Sequence, residues 1–125
     1  MAGDATSSFF EALDRRGHEP LLEKVEGTVR IDLRKDGHTD HWLVTIKRGD
    51  VSVSREDREA DGVIGASPAL FERVVRGEEN ALAAMLRGAM TVAGNLQLIL
   101  RLERLLPGPL DSRGPQRTIP RGGRP

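Results

Sequence analysis

The sequence predicts an α+β fold in which helices gather on one face of a sheet. Three observations carry that expectation. From Thr28 to Arg34 the alternation is strict: Val29, Ile31 and Leu33 share one face, and Arg30, Asp32 and Arg34 take the other, which describes a half-solvated strand. Asp36-Gly37 is a strong hairpin turn, after which Trp42, Val44 and Ile46 point one way and His41, Thr45 and Lys47 the other, Leu43 being the exception. Gly49-Asp50 turns the chain again, and Val51 and Val53 continue the alternation, so the three strands form an antiparallel meander. Their wet face leaves one side for helices, and the later segments supply those at helical period.

The elements follow in order. Residues 1–8 are small and polar and are expected to be a flexible N-terminus; Ser8-x-x-Glu11 has capping-box spacing and opens a helix with Phe9, Phe10 and Leu13 inward, ended by Gly17. Pro20 to Lys24 can add a helical turn before the meander. Arg55 to Ala60 lacks an apolar period and reads as a loop, leading to a fourth strand over Asp61–Ala66. Ser67-Pro68 caps the next helix, whose apolar face is Leu70, Phe71, Val74 and Val75. Asn80 caps another, with Leu82, Met85 and Leu86 inward, and Gly88 stops it. Ala89 to Ala93 alternates as a fifth strand, Gly94-Asn95 turns and caps, and a last helix runs toward Pro107. On its wheel Gln97, Arg101 and Arg104 share one narrow stripe, while leucines and Ile99 fill most of the remainder. Residues 107–125, rich in proline, glycine and arginine, are expected to be a disordered tail.

Composition narrows the function classes. A chain of 125 residues supports one modest core. Formal net charge is zero, which gives no field toward nucleic acid or anionic membrane, and four aromatic residues are too few for base stacking. Without cysteine there is no disulfide framework and no thiolate ligand or nucleophile. Met1 to Ser8 has no leader pattern and no apolar run approaches the roughly 20 residues of a membrane span, so a soluble cytoplasmic protein without stable membrane insertion is expected. His38-Thr39-Asp40-His41 resembles a metal site only in composition, since His38 and Asp40 share a strand face that His41 does not. No phosphate loop or nucleophile elbow is present, and Glu56-Asp57 and Glu78-Glu79 sit in charged loops. No catalytic residue, metal or cofactor is expected.

The aliphatic surplus is the remaining signal. Leucine covers more of the last helix than one packing surface requires, which allows a filled core, a dimer face or the wall of a site for a hydrophobic ligand.

Trp42-Leu43-Val44-Thr45-Ile46, Asp61 through Ser67 ahead of Pro68-Ala69-Leu70-Phe71, and Leu86 to Asn95 ahead of the leucine-rich helix together resemble the sterol carrier protein type two (SCP-like, sterol-binding) domain family. The resemblance spans about Phe9 to Leu106. It implies a five-stranded, largely antiparallel sheet with helices on one face and an apolar tunnel for a sterol, fatty acid or acyl-CoA. The tunnel-lining residues it implies are Trp42, Val44, Ile46, Phe71, Met85, Leu86, Met90, Val92, Leu98 and Leu102. The family often carries lysine after the glycine matching Gly88, where this chain has Ala89, and the chain ends Gly-Arg-Pro instead of a peroxisomal tripeptide. Residue usage suggests a bacterial, actinobacterial member. The function implied is non-enzymatic lipid carriage; the alternative is a structural or homodimeric module supporting an enzyme.

Overall fold

A computed structural model describes residues 4–106, and the expected disordered tail lies outside them. The elements are α1 (Asp4–Arg16), a 3-10 turn (Pro20–Leu22), β1 (Glu26–Lys35), β2 (His38–Lys47), β3 (Asp50–Ser54), β4 (Gly62–Ala66), α2 (Pro68–Val75), α3 (Ala81–Leu86), β5 (Thr91–Gly94) and α4 (Leu96–Glu103). The sheet order is β3-β2-β1-β4-β5, with every pairing antiparallel except β1 with β4. This is the expected α+β class, a mixed but mostly antiparallel five-stranded sheet.

The caps form as their sequences dictate. Ser67 Oγ accepts from Leu70 N at 3.1 Å, Asn80 Oδ1 from Ala83 N at 2.9 Å and Asn95 Oδ1 from Leu98 N at 3.1 Å, each satisfying an amide that the first helical turn leaves orphaned. The first helix departs from expectation. It begins at Asp4, so Ser8 lies inside it and caps nothing. At the other end α4 stops at Glu103, short of Pro107, although Leu106 beyond it is still buried. Met90 precedes β5 instead of lying within it.

Register explains where the helices sit. Asp36-Gly37 sets Ile31 opposite Trp42, and Ile31 also pairs with Ile64, which faces Val92, giving an apolar row across four strands. The neighbouring row is Val53, Val44, Val29, Gly62 and Gly94, small at the β4–β5 end. There α4 comes close: a Cβ on Gly62 would lie 2.9 Å from Ile99 Cγ1, and one on Gly27 would lie 2.7 Å from Leu98 Cδ2. Glycine at position 62 lets α4 approach the sheet, and Gly27, whose φ is +149°, leaves room for the end of the Leu98 side chain.

The opposite face is less solvated than alternation suggests. Because β3 is an edge and β4 is internal, the segment from 55 to 61 must cross β2 and β1, and it does so on this face. Arg30 Nη1 donates to Arg58 O at 3.0 Å, and Arg55 Nε donates to His41 O at 2.9 Å. Beneath it Asp32 and Leu43 are each 1% exposed, which corrects the reading of β1 as half-solvated and accounts for Leu43 as the exception in β2.

Candidate functional site

The space between helices and sheet is the one expected to form a tunnel, and it is filled. Phe10 of α1 stacks on Trp42 with centroids 4.5 Å apart and on Phe71 at 5.7 Å, while Phe9 meets Phe10 edge-on at 5.2 Å. Around this stack Phe9, Leu13, Ile31, Ile64, Leu102 and Leu106 help enclose a void of about 10 Å³. Such a void holds no more than about one water, whereas ligand pockets run to about 300 Å³ or more. Every side chain named here is apolar.

The expected lining residues divide into two groups. Trp42, Val44, Ile46, Phe71, Met90, Leu98 and Leu102 are buried in one core, with Met85 half-buried against it, and Phe71 and Leu102 reach the void itself. Leu86 and Val92 do not join them. Leu86 is 81% exposed, because Ala81 and Ala84 form the buried face of α3, and Leu82, also expected inward, is exposed with it. Val92 points to the helix side of β5 but is exposed at the sheet edge, which no helix covers fully.

The sequence reading assigned no lining role to α1 or to Leu106. Signals for three of the omitted residues are present: Phe10 and Leu13 stand at helical spacing, and the two-residue hairpin turn places Ile31 opposite Trp42. What was illegible is that α1 lies against the aromatic of β2, since nothing local fixes that docking.

Polar chemistry is concentrated on the other sheet face. The Asp32 carboxylate accepts from Arg30 Nε at 2.9 Å and Nη2 at 3.1 Å and from His41 Nδ1 at 2.8 Å. Asp57 of the crossing loop approaches His41 at 3.4 Å and Arg30 at 3.7 Å. Burial pushes the Asp32 carboxyl up, but the hydrogen bonds from Arg30 and His41 more than offset it and hold it below the usual aspartate range. His38 pairs separately with Asp40 at 3.0 Å, so the histidine cluster divides between the strand faces as its spacing requires. Among the described residues no group of three acidic, histidine or cysteine side chains is arranged to hold a metal ion, and no helix is long and apolar enough to cross a membrane.

Comparison with known proteins agrees with this architecture. The chain is 28% identical over 90 residues to peroxisomal multifunctional enzyme A of Dictyostelium discoideum, covering 70% of this chain and 20% of that protein, so it spans about a fifth of that relative's length. Its fold is similar to the sterol carrier protein domain 2 of Helicoverpa armigera, at 22% identity and a TM-score of 0.66, covering 81% of this chain and 84% of that one. It is also similar to apo sterol carrier protein 2 from Yarrowia lipolytica, at 21% identity and a TM-score of 0.65, covering 84% and 91%. The family model described as the SCP-2 sterol transfer family matches residues 9–107. Since that match runs through all five strands and through α2, α3 and α4, the chain belongs to the SCP-2 sterol transfer family.

Proposed function

We propose that this protein binds and carries a hydrophobic ligand, a sterol, fatty acid or acyl-CoA, between its sheet and its helices in the cytoplasm, without catalysing a reaction. The observation that carries this reading is the apolar interior of a family member, where Phe10 stacks on Trp42 and the void is lined by Phe10, Phe71, Leu102 and other apolar side chains. Burying roughly 12 methylenes at about 0.8 kcal/mol each gives on the order of 10 kcal/mol gross. Association and ordering costs of at least about 4 kcal/mol leave about 6 kcal/mol or less, an affinity of tens of micromolar or weaker. A void of about 10 Å³ adds a further cost, since side chains must move before a chain can enter. Carriage tolerates that cost, because a carrier must also release.

That same packed interior favours a second reading, a module that supports a partner and has no ligand of its own. Five of the six exposed large apolar side chains among the described residues, Leu82, Leu86, Val92, Leu96 and Leu100, fall on α3, β5 and α4, where a partner or a second copy could cover them. Native mass spectrometry after titration with palmitate and cholesterol separates the readings. Carriage predicts one lipid per chain. No retained lipid, together with a dimer that persists on dilution in light scattering, would favour the module.

A further inference from the structure

The two edges of the sheet are finished differently. At β3 the chain satisfies its own edge: Val51 N donates to Gly17 O at 2.7 Å, Val53 N donates to Asp14 Oδ1 at 2.8 Å, and His18 bridges to Asp50. At the other edge stands β5, and all four of its residues are exposed. Asn95 N donates to Asp61 O at 2.8 Å, and by the alternation of an antiparallel ladder Val63 with Ala93 and Gly65 with Thr91 are the next bonded pairs. The N–H and C=O of Val92 therefore point out of the sheet, and among the described residues nothing meets them. Edges are ordinarily guarded by charge, by proline or by a bulge. This one has neither charge nor proline, for residues 88–100 are the longest run without a charged residue in a chain that is 30% charged. The helix that follows adds apolar surface on the same side. Leu98 of α4 lies at Gly27 of β1, and Ile99, about 100° further round the helix, lies at Gly62 of β4. Turning on in that sense carries Leu96 and Leu100 toward β5, where both remain exposed.

We propose that β5 pairs antiparallel with β5 of a second copy of this chain, about a two-fold axis at Val92 that joins the two sheets into one. An antiparallel pairing centred on a single residue is self-complementary: each Val92 N–H meets the other copy's Val92 C=O, and Thr91 falls opposite Ala93. The same axis sets the Val92 side chains together and turns Leu96 and Leu100 of both copies toward the junction. A strand from another protein would have to be selected by pockets or by charge, and this edge offers no charge for that selection. Two copies of a chain with zero formal net charge meet without net repulsion. Four residues of strand and two leucines a side belong to the small class of interfaces, below about 1,200 Å² in total, so the dimer is weak and forms at high concentration. Pairing goes beyond lipid carriage and stands whether or not the interior takes lipid.

Sedimentation velocity and amide NMR over a dilution series of the whole chain test the pairing. With dissociation on the order of 100 µM, the chain should be almost all monomer at about 5 µM and mostly dimer at about 1 mM. Across that range the Val92 and Gly94 amide signals should move, while those of Val51 and Val53, already bonded within the chain, should not. Val92→Pro removes an N–H that has no partner inside the chain, and Leu96→Lys/Leu100→Lys places cations on both sides of the junction. Each variant should weaken dimerisation at least about tenfold with an unchanged circular dichroism spectrum. The lysine pair changes exposed side chains only, and so reads the junction independently of any effect of proline on β5. A chain that stays monomeric at the highest concentration would overturn the proposal and leave the edge to a strand of another protein. A dimer that survives either variant with its fold intact, or whose concentration-dependent shifts fall on β3, would overturn it too. Lipid retention in native mass spectrometry is read separately, so failure of the pairing leaves carriage standing.

Discussion

Asp32 shows how much one side chain can organise on a sheet face. Since the ionised carboxylate can only accept, His41 must donate through Nδ1, and its Nε2 is left toward Asp57. Strand and crossing loop are thereby tied through one buried acceptor. Replacing Asp32 with Ala should cost about 2 kcal/mol in urea unfolding, because Arg30 and His41 lose their shared partner; Arg30 is a fifth exposed, so water takes up part of the loss. The sign of the pH dependence follows from the lowered folded-state value. The contribution is fully present above the unfolded aspartate value of about 3.9 and is lost as pH falls through the folded one. Acid titration of the melting temperature should therefore show a shallower decline in Asp32→Asn than in wild type. His18 behaves in the opposite sense. Hydrogen bonds to Asp50 and then Glu23 raise its value, so the small stability it contributes is present below about 6.5 and disappears as pH rises through the folded value. His18→Gln should narrow the difference from wild type at alkaline pH. Burial of Asp32 was not legible in its strand, where Arg30 and Arg34 beside it indicate a wet face. The cover comes from residues 55–61, and a charged loop gives no local sign of where it crosses.

Among the elements, α4 is where the sequence pattern and the packing can be compared most directly. Its wheel has leucine on nearly every side, yet the sheet buries only Leu98, Ile99 and Leu102, and Leu96 and Leu100 remain exposed. Leu102→Ala should cost about 2–4 kcal/mol, whereas Leu100→Ala should change stability by no more than about 0.5 kcal/mol, both measured by urea unfolding. Comparable losses at the two positions would mean that α4 is wrapped on more sides than the fold shows. The turn before this helix is equally restrictive. Gly94 has φ +86° and lies against the Asp61 carbonyl, so Gly94→Ala combines strain with a backbone clash and should destabilise by more than about 1 kcal/mol. The caps, the hairpin register and the helix order were legible because each depends on a few adjacent residues. The start of α1 was not: Ser8 and Glu11 have capping-box spacing, but the helix continues upstream through Thr6 and Ser7.

At the scale of the molecule, a sheet with helices on one face and a loop strapped across the other encloses an apolar interior with almost no free volume. The fold class could be read from alternation followed by helical period, because a strand with one apolar face demands a cover. Free volume could not be read that way, since Trp42, Phe71 and Leu102 are equally apolar around a tunnel or around a packed core. Carriage therefore requires the interior to expand as lipid enters. Titration of the protein with palmitate, followed by native mass spectrometry, tests this most directly. The account predicts a one-to-one complex with palmitate. A wild-type protein that retains neither palmitate, hexadecanol nor cholesterol would contradict it.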